Sequence, residues 1–269
     1  MHVSIKRLYI FVLCTVTIGR IAAQSADTLI FQSQSIRSVG CGFPTVNYSL
    51  LSPLNHSGYS LNFLSTRFRE IPKHLTQFHL QMKLGVLYNF ANDQYITTLG
   101  FNSGWSRHWH STDRARPLRL MSGVGIDAGI SVYMKDDNTN NSMAFFFNLS
   151  TSPSILAKYR FNINNTKFEL GQQIDVPFFS LISSSDYSAS LPIGFAEEEA
   201  SFFEAMRLVS FGSLMKCVTV TTLDISLPSR LPKFRISYIF KGMNYSHGDF
   251  TVKSADNIIL FGAIFYLFR

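Results

Sequence analysis

Two segments, Tyr95 to His110 and Leu118 to Lys135, alternate strictly from one side chain to the next, over 16 and 18 residues. In the first, Tyr95, Leu99, Phe101, Trp105 and Trp109 oppose Gly100, Asn102, Gly104, His108 and His110. In the second, Leu118, Leu120, Val124, Ile126, Ile130, Val132 and Met134 oppose Arg119, Gly123, Gly125, Asp127, Gly129 and Lys135. A period of two is that of a β-strand, whose successive side chains point to opposite faces. The same pattern runs from Phe78 to Phe90, from Phe168 to Ile182 and from Phe234 to Tyr245.

Length decides what covers the apolar face. Strands of soluble proteins average five to six residues, whereas a tilted strand crosses the hydrocarbon core of a membrane in about nine to eleven. The long alternation therefore points to a transmembrane antiparallel up-and-down β-barrel with its apolar face toward lipid. A secreted soluble β-sandwich acting as a binding module is the alternative, with the same face turned inward. Glycines on the polar face suit a crowded lumen. At the C-terminus Leu260, Gly262, Ile264, Tyr266 and Phe268 alternate toward the end of the chain and are read as the lipid face, although Ile259, Phe261, Phe265 and Leu267 make the other face apolar too.

Turn residues place ten strands near 28–39, 58–69, 78–91, 95–110, 118–135, 142–161, 167–183, 208–227, 234–245 and 255–268, with eight to twelve as the allowed range. The first is poorly alternating, and 208–227 has the character of two shorter pieces. An even number puts both termini on the periplasmic side. Compact turns at 70–77, 111–117, 162–166 and 228–233 then face the periplasm. Connections 40–57, 92–94, 136–141, 184–207 and 246–254 face outward. Phe195 to Met206, with Glu197, Glu198 and Glu199, reads as a short acidic amphipathic helix capping the outer mouth.

Residues 1–23 have a basic start (Lys6, Arg7), an apolar run and a small-residue end at Ala22-Ala23, the pattern of a secretory signal peptide. Residues 24–269 form the barrel domain. Removing Lys6, Arg7 and Arg20 takes the net charge from +7 to +4, too diffuse to indicate nucleic acid. The signal implies export to the outer membrane, where the principal partner is lipid and the barrel is a monomer. Connections 40–57 and 184–207 are the candidate contacts for a small polar solute or a surface partner. Cys41 and Cys217 lie on non-adjacent strands and are expected to be free thiols.

With the apolar faces outward, the interior receives His79, Lys83, Asn102, His108, His110, Arg119, Asp127, Lys135, Lys158, Arg160, Lys167, Glu169, Gln173, Asp175, Lys216, Asp224, Arg235 and Lys241. Small barrels fill their interior with side chains, and unpaired buried charge is costly. These residues are therefore expected to pair into an ionic and hydrogen-bonded plug, with a narrow, weakly anion-favouring pore as the alternative. His108 and His110 could serve as a metal pair or a general base, which keeps a barrel-embedded envelope hydrolase as a second reading. No nucleophile or metal motif accompanies them. No catalytic, cofactor-binding or metal-ligating residue is assigned, and the expected role is structural, narrow-pore or surface-binding rather than enzymatic.

Ser52-Pro53-Leu54 followed by Gly58, the Arg67-Phe68-Arg69-Glu70 strand end, the glycines 123, 125 and 129, Tyr159-Arg160-Phe161 and Leu223-Asp224 together resemble an uncharacterised family of exported Gram-negative barrel proteins, known only as a domain of unknown function. The resemblance spans nearly all of the chain after the signal and implies an outer-membrane barrel. It carries over no catalytic or ligand-binding residue. The interval between Phe202-Phe203 and Asp224 is shorter here than in the family pattern.

Overall fold

The computed structural model describes residues 32–49, 52–89, 91, 94–112, 116–135, 143–184, 206–211, 213–227, 233–247 and 250–267. The signal segment 1–23 and nearly all of the acidic segment 195–206 lie outside them. Twelve strands follow in chain order: β1 (Gln32–Tyr48), β2 (Ser52–Glu70), β3 (His74–Asn89), β4 (Gln94–His110), β5 (Leu118–Lys135), β6 (Met143–Ile163), β7 (Thr166–Asp175), β8 (Phe179–Ser184), β9 (Arg207–Ser210), β10 (Leu214–Ser226), β11 (Lys233–His247) and β12 (Phe250–Leu267). Among the described residues there is no helix.

All pairings are antiparallel, and the sheet closes on itself. β1 joins β12, β11 joins β10, β10 joins β7, β7 joins β6 and β6 joins β5. β8 continues the line of β7 along β6, and β9 continues β10, so the wall is a closed barrel of ten strands. One continuous ring leaves no second sheet to pack against, which excludes the sandwich. Hairpins connect neighbours. The β6–β7 turn places Asn164 and Asn165 at φ 46° and 64°, the left-handed pair that a two-residue hairpin requires and asparagine tolerates.

Side-chain direction follows the alternation. On β3, Leu80, Met82, Leu84, Val86 and Tyr88 are exposed on the outside, while Gln81 and Leu87 are buried within. β4 and β5 behave likewise, with Phe101, Trp109, Val124 and Ile126 outside and His108, Arg119 and Met121 inside. A register row Val39–Phe63–Met82–Phe101 runs around the outer wall, and all four side chains face outward. Strands of 16 to 21 residues in β1 to β6 exceed the length needed to cross hydrocarbon.

Three expectations are corrected. First, 40–57 is not an outer connection: β1 runs to Tyr48 and β2 starts at Ser52. Gly42 pairs with Ile258 and Ser60 inside the wall, where a Cβ would lie 2.5 Å from Ser60 Oγ and 2.7 Å from Asn62 Nδ2. Second, the segment 167–183 is broken at Val176–Phe178, since Pro177 has no N–H to give the ladder.

The two-piece character of 208–227 is borne out, the segment dividing at 211–213 into β9 and β10. Third, the faces of the last strand are reversed. Leu260 and Ile264 are buried in the lumen, and Ile259, Phe261 and Phe265 face outward. Both faces of that strand are apolar, so its own pattern carries no direction. Pairing with β1, whose Ile36 and Ser38 are buried inside, sets it.

The barrel interior as candidate site

Three layers fill the lumen. Toward the end where β1 finishes at Tyr48, twelve buried residues including Val46, Tyr48, Leu87, Ile96, Tyr133, Phe146, Tyr245 and Val252 form an apolar layer. Toward the opposite end Ile36, Phe68, Leu75, Met121, Leu156 and Ile264 form a second. Between them lies a polar zone around a cavity of about 220 Å³. Members of both apolar layers also line that cavity, among them Val46, Tyr133, Phe68 and Leu156.

The polar zone is organised by its carboxylates. Asp127 on β5 receives Asn102 Nδ2 at 2.9 Å and Lys216 Nζ at 3.2 Å, and His79 Nε2 stands 3.3 Å away. Three residues occupy one register row, His79–Gly104–Asp127. A Cβ on Gly104 would sit 2.7 Å from His79 Nε2 and 3.0 Å from Asp127 Oδ1. The glycine is thus what lets the outer two members of the row meet across the middle strand. Asp256 on β12 binds Lys83 Nζ at 2.9 Å. Lys241 donates to Gln81 at 2.6 Å, and Gln81 donates onward to Asn62 at 3.0 Å.

A second ionic group closes the end nearest Glu70. The guanidinium of Arg119, 2% exposed, bridges Glu70 and Glu169 with both contacts at 2.9 Å. Glu169 also takes Lys158 at 3.0 Å and Arg160 at 2.6 Å. Arg235 grips Asp224 with two donors, at 2.5 and 2.6 Å, and lies 5.0 Å over the ring of Phe68. Such two-pronged guanidinium pairs are among the strongest of charge-assisted hydrogen bonds.

Most of the interior residues expected from the sequence are therefore brought together: Asp127, Glu169 and Asp224 pair with Lys or Arg, whereas Asp175 takes Gln173 Nε2 at 2.9 Å instead. Lys167 is exposed and Arg160 is half-exposed at the rim. Two carboxylates that organise the network were not singled out, Glu70 and Asp256. Glu70 follows Thr66 and Phe68 in phase, which is a readable signal. Asp256 shares its face with Leu260 and Ile264, so reversing that face hid it.

His108 and His110 both lie inward. His108 is fully buried, and its Nε2 is 2.8 Å from Ser154 Oγ across Gly123, in the register row His108–Gly123–Ser154. The hydroxyl of Ser154 also faces the carboxyl of Asp175. A nucleophilic serine needs a histidine to accept its proton and a third group to hold the far ring nitrogen. Here Nδ1 of His108 is buried and has no hydrogen-bond partner. The serine stands between histidine and carboxylate, an order that suits a structural relay with Nε2–H donating to Ser154 and Ser154 donating to Asp175. His110 Nε2 lies 4.0 Å from Glu70. Among the described residues no three His, Cys, Asp or Glu side chains form a group that could hold a metal ion. Cys41 and Cys217 are unbridged, as expected.

The family described as "Protein of unknown function (DUF3316)" matches residues 8–265. No curated protein sequence matches the chain. Among solved structures, the outer membrane protease OmpT from Escherichia coli is similar with a TM-score of 0.51 and 9% identity, covering 90% of this chain and 100% of that one. The translocator domain of the autotransporter NalP from Neisseria meningitidis follows at 0.45 and 9%, covering 95% and 96%. The β-domain of the Bordetella autotransporter BrkA gives 0.42 and 10%, covering 90% and 100%. At this identity the likeness to OmpT is one of fold, the outer-membrane β-barrel.

Proposed function

The chain belongs to the DUF3316 family of proteins of unknown function, and from that premise we propose that it is a plugged, non-conducting barrel of the outer membrane with a structural or surface-binding role. Residues 1–23 are the export signal in this reading. Both termini lie on the periplasmic side, because the longest interval between strands, 185–206, falls at the end opposite the short β2–β3 and β6–β7 turns.

One observation carries the reading: twelve buried apolar side chains from nearly every strand gather toward one end of the lumen and six toward the other, with the ion-paired zone between them. A conducting pore keeps a continuous polar path, and hydrophobic layers oppose hydration of that path. The ionic groups between the layers also hold one another rather than lining an open channel. Purified protein in planar bilayers tests this. Absence of resolved conductance steps is expected, and reproducible steps at low voltage would refute it. A hydrolytic role for His108 gains nothing from its geometry, since the ring and its serine are sealed inside.

A further inference from the structure

The outer wall carries a charged ledge that the plugged-barrel reading does not use. Arg37 and Arg67 are exposed on the outside, between the buried side chains Ile36, Ser38, Thr66 and Phe68. Arg69 and Arg107 share that face. The register assembles the four on adjacent strands. Ser33, Arg69, Thr76 and Arg107 form one row; Ser35, Arg67, Phe78 and Trp105 form the next; Arg37 and Ser65 begin the third.

Glu70, the nearest carboxylate on β2, points inward to Arg119. Among the described residues Arg37, Arg67 and Arg107 meet no carboxylate, and Arg107 lies 5.7 Å over the ring of Trp105. The ledge ends sharply. One outward step above Arg37 begins the apolar row Val39–Phe63–Met82–Phe101. Guanidinium groups with small hydroxyl side chains between them, at the level where an apolar wall gives way to polar residues and an aromatic anchor, face the headgroup region of a bilayer. Guanidinium matches phosphate with paired donors, and uncompensated positive charge at that level favours an anionic lipid.

We propose that Arg37, Arg67 and Arg107 form a binding ledge for the phosphate of an anionic phospholipid in the inner leaflet of the outer membrane. The leaflet assignment rests on the orientation proposed above; the ledge itself does not. The full chain is reconstituted in nanodiscs of phosphatidylethanolamine doped with either phosphatidylglycerol or lipid A, and retained lipid is read by native mass spectrometry. The wild type is expected to retain phosphatidylglycerol over phosphatidylethanolamine on the order of tenfold. The combined variant Arg37→Gln, Arg67→Gln, Arg107→Gln loses that preference and keeps its heat-dependent gel mobility. If the triple variant fails to fold, Arg67→Gln alone reads the same preference, and Arg67→Lys restores part of it. No preference in the wild type, or a preference surviving in the variants, overturns the ledge. Retention of lipid A over phosphatidylglycerol that the variants abolish overturns the leaflet, and marks the orientation as the point of failure.

Discussion

The ammonium of Lys83 on β3 stands 2.9 Å from the carboxylate of Asp256 on β12, with β2 and β1 between their strands in the wall. The pair reaches across the inner face of β2 and β1 and ties two strands separated by 173 residues in sequence. Its side chains are 17% and 10% exposed. Removing one partner leaves an opposite charge in a confined interior, which for buried pairs costs about 3–5 kcal/mol, while replacing both with apolar groups is often close to neutral. Lys83→Met is therefore expected to lower stability by about 3 kcal/mol, and Lys83→Met with Asp256→Leu to recover most of it. Urea unfolding in lipid vesicles reads both. Equal losses in the single and double variants would mean that the two groups do not act as a pair.

Arg119 and Arg160 both contact Glu169, yet they differ in setting. Arg119 is 2% exposed and bridges a second carboxylate, whereas Arg160 is 53% exposed. Arg119→Met should cost about 3 kcal/mol, as breaking a buried pair does. Arg160→Gln should cost less than about 1 kcal/mol, as exposed pairs do. A ranking in the other order, measured by the same unfolding curves, would show that the rim and not the interior holds this group together.

The glycine rows make a sharper prediction. A Cβ on Gly123 would run into the backbone carbonyl of Arg107 and stand 2.8 Å from the His108 ring. At Gly100 the nearest atom would be Lys83 Cβ at 3.4 Å, an ordinary contact. Gly123→Ala should therefore destabilise by about 1–3 kcal/mol, the usual cost of overpacking, and should separate His108 from Ser154. Gly100→Ala should change stability by no more than about 0.5 kcal/mol. If both are tolerated alike in folding yield and unfolding midpoint, close approach is not the reason for glycine at 123.

Much of this architecture was legible beforehand because β3, β4 and β5 are apolar on one face only. Met82 and Leu84 against Gln81 and Lys83 admit a single orientation, and the structure keeps it. Where a strand is apolar on both sides, as from Leu260 to Phe265, its direction is set by the partner strand and is absent from its own sequence. The interval 40–57 was placed outside the wall although Gly42 lies in the ladder of β1, where a glycine leaves room for Ser60 and Asn62. The polar interior was foreseeable as a set of charges. Which lysine meets which aspartate depends on the stagger of strands such as β3 and β12, which local pattern does not encode.

The outward face admits a direct optical test of the account as a whole. Leu84, 41% exposed, lies mid-strand on the outer side of β3. The chain has two tryptophans, Trp105 and Trp109, so Leu84→Trp in a Trp105→Phe, Trp109→Phe background gives one reporter. Reconstituted with phospholipids brominated in mid-chain, its fluorescence should be strongly quenched and should resist aqueous iodide. Quenching by iodide with no effect of the brominated lipid would place Leu84 in water and contradict a membrane-spanning wall.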